Sequence, residues 1–563
     1  MHRRGALLAL PLTAALALSA CGGSSSGGKT TSKPKTNPGL AAIDINAHPD
    51  SDLKDGGTLI WAIDQFGPQW NQNQINGNET SMANVAGALM PEPTISDEKA
   101  NVSYNPDYWT SVKVTSQSPQ TIEYKLNPKA KWSDGKPITA ADFIAQWKAL
   151  NGKNPKFDPA GTSGYDHIAD VKQGTDQFDV ITTYSSNYAE WPVLFNPLFP
   201  ASTNADPKHF DNDYNGKYPV TAGPFKFDHF DKSAQTVTVV RDPNWWGAKP
   251  HLDKIVFKTL ESTAADQAFA NGEIDYDYSI TPNAAEYKLA AGNPNGKVHV
   301  AAGPDQRQFT LHNGGVLADV NVRKAIAEGT NRAAIAKSDL TGLPVGTPQT
   351  LDNHIFVNTQ AGYQNNAGDV GKYDPAAANK ILDDAGWAKG SDGIRAKGGQ
   401  QLKVRFTIPA GVASSKNEAE LMQSMMSAIG VKLVITTVPS NDFFDKYIIP
   451  GNFDITPFSW IGTIFPGGGS KDIYVCKKGS VGGSNFTAMC DPAIDQDFTD
   501  ALGSLDINVY RQKLNDADVH IWNEVHSLML YQRPQMNGVK NGIANLGSFG
   551  FATVDYTKIG YLK

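Results

Sequence analysis

The chain has 563 residues, 40% of them hydrophobic and 19% charged, with 52 glycines and 34 prolines. That composition excludes a coiled coil, a disordered protein and a single small domain, and two to four domain-sized units are expected, each burying its own core. Lysine and arginine number 50 against 57 acids, a net charge of −7, so no overall basic field exists to hold a nucleic-acid backbone.

The first twenty residues have the order of an export signal. His2-Arg3-Arg4 precede an apolar run from Gly5 to Leu18, too short for a comfortable membrane span. Leu18-Ser19-Ala20-Cys21 follows. This tetrapeptide resembles the bacterial lipobox, and the resemblance implies cleavage after residue 20 and acylation of Cys21. The expected mature protein is lipid-anchored at the extracellular face of the cell membrane, each buried CH₂ adding about 0.8 kcal/mol. Residues 21–54 are rich in Gly, Ser, Lys, Thr and Pro and lack apolar periodicity; they are expected as a solvated tether with a reach of about 30 Å.

Beyond Gly56 strand-like and helix-like segments alternate. Thr58-Leu59-Ile60-Trp61-Ala62-Ile63 reads as a buried strand, and residues 121–126 alternate with period two, the mark of a half-exposed one. Lys131 to Pro137 reads as a turn, and Thr139 with Asp142 as a capping box opening a helix that carries Phe143, Trp147 and Leu150 on one face. Asp319 and Asp374 are expected helix caps, the latter with Pro375 in the first turn, and Gly329, Gly386 and Gly430 are expected helix ends. Met422, Met425 and Met426 are expected in a core. Cys476 and Cys490 are expected as a disulfide, because export places them in an oxidising compartment and neither has a second Cys or His at zinc-ligand spacing. The fold class is mixed α/β.

Motifs for catalysis are scarce. No His-Glu-x-x-His, Gly-x-Ser-x-Gly or phosphate-loop pattern occurs. Ser133 and Lys136 match Ser-x-x-Lys formally, yet Asp134-Gly135 and Pro137 favour a turn over the helical spacing that chemistry needs. The carboxylate pairs Asp275 with Asp277 and Asp383 with Asp384 are explained by a solvated surface as well as by glycosidase chemistry. The protein is expected not to be an enzyme, and no cofactor or metal is called for.

A set of phrases in fixed order carries a resemblance: KWSDGKPITAADF at 131–143, TAGPFKF at 221–227, RDPNWWGAKPHLDKIVFK at 241–258, FANGEID at 269–275, DVNVRKAIAEGTNR at 319–332, YDPAAANKILDDAGW at 373–387 and GNFDITPFSW at 451–460. Together they resemble the family 5 extracellular solute-binding proteins of ABC importers, the oligopeptide, dipeptide and nickel-binding group. The resemblance implies a two-lobed periplasmic-binding-protein-like fold of class II with an extra inserted domain. Mapped by phrase order, lobe I comprises 55–90, 215–312 and 530–563, the inserted domain 91–214, and lobe II 313–529. It further implies a monomer that takes up a peptide or peptide-like solute, closes on it, and hands it to permease and ATPase subunits. A regulatory or scaffold lipoprotein on the same fold and an extracellular hydrolase are the alternatives.

The same resemblance implies ligand contacts at Trp460, Tyr278, Ser279, Asn78, Glu79 and Asn313. Peptide-binding members often read Trp-x-Ala-Asp where this chain reads Trp460-Ile461-Gly462-Thr463, so Thr463 stands where an Asp takes the ligand's ammonium. A buried ammonium without a carboxylate costs several kcal/mol. Either Glu79 or another acid serves instead, or the solute lacks a free amino terminus. Phe465 to Gly469 is expected either to admit a bulky solute or to be a loose loop. No histidine cluster lies near these segments, which speaks against nickel.

Overall fold

The computed structural model describes residues 39–476 and 483–563. The export signal, Cys21 and the start of the expected tether lie outside the described residues. The frame is a ten-stranded mixed sheet. Thr58–Ile63 runs parallel between Lys254–Thr259 and Tyr276–Ile280, which explains why it reads as an unbroken apolar strand. Antiparallel strands Phe225–Asp231 and Thr236–Arg241 extend that side. On the other side, Lys403–Pro409 pairs in parallel with Lys432–Val438 and with Ile455–Ile461.

Two long strands join these halves into a two-lobed fold. Gly296–Leu311 and Ser527–Lys540 pair antiparallel, residues 296–302 against 540–534 and residues 306–310 against 532–527. The register breaks between Ala302 and Gln306. Gly303 sits in that break, where an added Cβ would lie 3.0 Å from the Arg533 carbonyl, so only glycine allows the two backbones to approach so closely.

Residues 109–184 form a separate four-stranded antiparallel sheet backed by the helix Ala140–Leu150. The Thr139–Asp142 capping box is present, and Phe143, Trp147 and Leu150 are buried. This segment does not bury a core of its own. Trp109, Phe143 and Phe195 continue into Trp61 and Phe257 of lobe I, and Phe498 and Tyr510 join the same cluster. One helix on a small sheet leaves an apolar face that neighbours must cover. Lobe II buries a second cluster around Phe309, Leu311, Met422 and Met426.

Other local signals have clear outcomes. Asp374 accepts hydrogen bonds from the amides of Ala376 and Ala377, and Asp319 from that of Asn321. Gly386 and Gly430 have φ of +81° and +78°. Ser133 lies in a turn bridged by Lys131 and Pro137 and accepts a hydrogen bond from the Thr221 amide at 3.0 Å. Cys476 and Cys490 form a disulfide with Cα atoms 5.1 Å apart.

Two expectations fail. Residues 39–54 are not tether: Asp44–Ile45 pairs with Gly547–Ser548, Leu53–Lys54 pairs with Tyr561–Leu562, and the Asp44 carboxylate accepts the Val300 amide at 2.9 Å. Backbone pairing to chain far away in sequence holds this stretch, so its polar composition concealed it. Asp275 and Asp277 are not on a solvated surface but 5% and 1% exposed. Asp275 accepts the Ile60 amide and the Lys540 ammonium, both at 2.8 Å. Asp383 and Asp384 are indeed on the surface.

Candidate functional site

The crossover break brings chemistry together from both lobes. The strands Thr58–Ile63 and Tyr276–Ile280 are parallel, so Asp64 and Ser279 emerge side by side at their C-terminal ends, the edge where open α/β sheets place ligands. The Ser279 hydroxyl donates to Asp64 at 2.9 Å, and the Asp64 amide donates to Ser81 at 3.2 Å. Tyr278 departs from the ladder at a register shift between Asp277 and Ile280, and its carbonyl accepts the Asn537 amide group. Burial, then the Asp64 carboxylate and finally that of Asp305, push the Tyr278 phenol up to about 12. The phenol therefore lies between an acid of lobe I and an acid of the crossover.

Asp305 is paired on the crossover with Ile461 and holds Arg533 of the other crossover strand at 3.2 Å. Burial raises its carboxyl above the ordinary range, while Arg533 opposes the rise. Ile461 is 70% exposed, more than any other large apolar side chain among the described residues. Gly462 follows because its amide donates to the Pro304 carbonyl at 2.9 Å and an added Cβ would lie 2.9 Å from that oxygen.

Trp460 is half-buried, pairs with Gln306, stacks on Phe486 with centroids 5.7 Å apart and meets Phe458 edge-on. Glu79 heads the helix Thr80–Leu89 and accepts Gln65 at 3.2 Å; Asn78 is exposed beside it. Both thus share the lobe I rim with Asp64. Thr463 is exposed, but its hydroxyl donates to the Phe465 carbonyl at 2.7 Å. Asn313 follows the strand end at Leu311, and its amide donates to the Thr487 carbonyl at 2.8 Å, next to the Phe486 on which Trp460 stacks.

Phe465 to Gly469 is not a loose loop, and Phe465 and Pro466 line a cavity with Trp191 and Tyr510. Pro466–Tyr474 is a helix, and Gly468 donates its amide to Glu190 of the inserted segment at 2.8 Å. Asp64, Asp305, Arg533, Ile461 and Glu190 were missed in the sequence. Only Ile461, an aliphatic next to Trp460 at the end of an alternating strand, had a local signal.

Among the described residues, hydroxyl–imidazole contacts occur at Ser186 with His167 and at Thr487 with His526, both at 2.8 Å. No group of three or more His, Cys, Asp or Glu side chains there suits a metal ion. His354 lies 2.7 Å from Asp518 and both are fully buried. Its other ring nitrogen faces the Ser527 carbonyl at 3.1 Å, so both nitrogens are engaged inside the core.

A family model described as bacterial extracellular solute-binding proteins, family 5 (middle), matches residues 103–479. The chain belongs to the family 5 extracellular solute-binding proteins. The oligopeptide-binding protein OppA of Mycobacterium tuberculosis (strain H37Rv) is 36% identical over 564 residues, covering 99% of this chain and 93% of that protein. Among solved structures, the periplasmic EDTA-binding protein EppA superposes with a TM-score of 0.82 at 24% identity, covering 94% of this chain and all of that one. Bacillus subtilis AppA in complex with a nonapeptide gives 0.70 at 19% identity, with 91% and 100% coverage. The family 5 fold therefore accounts for the two crossover strands and for the sheet edge at which Asp64, Tyr278 and Ser279 meet Asp305 and Ile461. No described helix is long and apolar enough to cross a membrane.

Proposed function

We propose that this protein is the lipid-anchored substrate-binding component of an ABC importer, capturing a peptide or peptide-like solute by hinge closure and delivering it to a permease. The observation that carries the reading is the convergence, at one break in two crossover strands, of lobe I acids, the Tyr278 phenol, Asp305 and the exposed Ile461 beside Trp460. Motion about two strands opens and closes such a site with little strain in either lobe. The likeness to OppA over nearly the whole chain supports a peptide as the solute. Permease and ATPase partners, a monomeric state and the absence of catalysis follow from the same reading.

The Thr463 hydroxyl carries no charge, so an ammonium in this cleft is balanced by Asp64 or Asp305 rather than by residue 463. Trp460→Ala is expected to weaken peptide binding by about tenfold or more, as truncation of a central ring does, with melting shifted by only a few °C. Isothermal titration beside a thermal melt checks this. A collapse in stability with affinity intact makes Trp460 a core residue and moves the site elsewhere. The anchor has its own test: Cys21→Ala protein should carry no label after growth with radioactive palmitate, and a labelled variant removes the lipid from the reading.

A further inference from the structure

In lobe I the helix Ser262–Ala270 packs on the strand Tyr276–Ile280 and sets two carboxyls against each other inside the protein. Asp266 is 0% exposed and Asp277 1%. Neither oxygen of Asp266 has a hydrogen-bond donor, nor has Oδ2 of Asp277. The charged and titratable groups that face them are all acids: Glu286 from the helix Ala284–Ala290 and Asp64 from the end of Thr58–Ile63. Asp277 and Glu286 both lie close enough to Asp266 to raise its carboxyl.

Buried acceptors without donors are rare in folded proteins, and two like charges without water are costly. A single proton on Asp266 relieves both problems, leaving one of the three oxygens without a donor. It supplies a donor to the neighbouring carboxylate and removes one of the charges. Burial raises both carboxyls, and the neighbouring acids hold Asp266 protonated further still.

The pair stands at the foot of the site. Oδ1 of Asp277 accepts the Ser279 amide at 3.5 Å, and the strand slips its register between Asp277 and Ile280. Tyr278 and Ser279 are the two residues displaced by that slip. We propose that Asp266 is a positioning residue for the solute cleft: the proton it shares with Asp277 holds the bulge that presents Tyr278 and Ser279, and solute affinity falls when that proton is lost. The inference rests on the binding function proposed above. An Asp266 anion repels Asp277 and Glu286, and the strain falls on the stretch between Asp277 and Ile280, where the ladder to Ser527–Lys540 is already interrupted.

Asp266→Asn keeps a donor at this position at every pH, so it separates the shared proton from the side chain's bulk. Hydrogen exchange read by mass spectrometry, corrected for the intrinsic rate, should show residues 276–282 losing protection between about pH 6 and about pH 10 in the native protein and not in the variant. Titration with tri-alanine should show affinity falling about tenfold more over that range in the native protein than in the variant, a size common for coupled sites. Comparison at equal pH cancels the titration of the peptide itself. Equal loss of protection in both proteins, or loss in neither, overturns the inference. If tri-alanine binds neither protein at any pH, the peptide reading fails, and the exchange result still decides the role of Asp266.

Discussion

Glu418→Ala is expected to destabilise lobe II by about 3–5 kcal/mol, the cost of leaving a buried charge without its partner. Arg307 lies on the first crossover strand at 8% exposure, and Glu418, on the helix Ala413–Ala428, is fully buried. Arg307 Nε donates to one Glu418 oxygen at 2.7 Å and Nη2 to the other, with Ser415 Oγ a further 3.2 Å partner. The facing residue on the second crossover, Tyr531, donates to Asp339 at 3.2 Å. Both crossover strands are therefore fastened to helices just past the register break. Removing Glu418 frees this end of the hinge as well as weakening the core, so urea unfolding should show the loss and solute affinity should fall with it. A loss below about 1 kcal/mol shows that water reaches Arg307 and that the pair is not sealed.

The same cluster has a pH signature. Burial first, and the neighbouring Glu418 next, push Asp339 up to about 8. Folding thus takes up a proton there, and the stability this contributes is complete below the unfolded carboxylate range and is lost as pH rises toward about 8. Asp339→Asn should flatten that part of the curve without altering the Arg307–Glu418 contact.

How much of this could be read from the chain depends on how local each signal is. Thr139 with Asp142, and Asp374 before Pro375, cap helices through bonds spanning three residues or fewer, so composition and spacing suffice. The site is different in kind. Asp64 reaches Ser279 across 215 positions and Asp305 reaches Arg533 across 228, and neither acid differs locally from the many surface carboxylates of an acidic protein. Asp277 was misjudged for that reason: burial is set by the helix Ser262–Ala270 packed over it, which no adjacent residue announces. Trp460 was legible as a ring at a strand end, whereas the use of Thr463 by its own loop was not. Phrase order placed Asn313 in sequence, but its bond to Thr487, across 174 positions, was not legible there.

Glu190→Ala is expected to open the inserted segment away from lobe II and to weaken solute capture through that opening. Glu190 is 5% exposed. Its carboxylate accepts the Tyr510 hydroxyl at 2.7 Å, the Gly468 amide at 2.8 Å and the Tyr188 hydroxyl at 3.1 Å. The amide sits in the first turn of Pro466–Tyr474, where free N–H groups and the helix dipole favour an anion. The run of glycines is what lets the carboxylate in. A Cβ on Gly468 would lie 2.6 Å from a Glu190 oxygen, and one on Gly467 2.9 Å from the Tyr510 hydroxyl. Each donor left unpaired in the closed form costs about 1–3 kcal/mol, and a net loss of about 3 kcal/mol shifts the open-to-closed ratio about a hundredfold. Gly468→Val should act in the same direction by steric exclusion while leaving Glu190 in place. Small-angle scattering should record a larger radius of gyration for both variants at a solute concentration that compacts the native protein. If both stay compact and bind normally, the inserted segment follows lobe II through the Ala189–Leu502 and Ala361–Lys99 backbone bonds alone, and Glu190 serves only to satisfy the helix end.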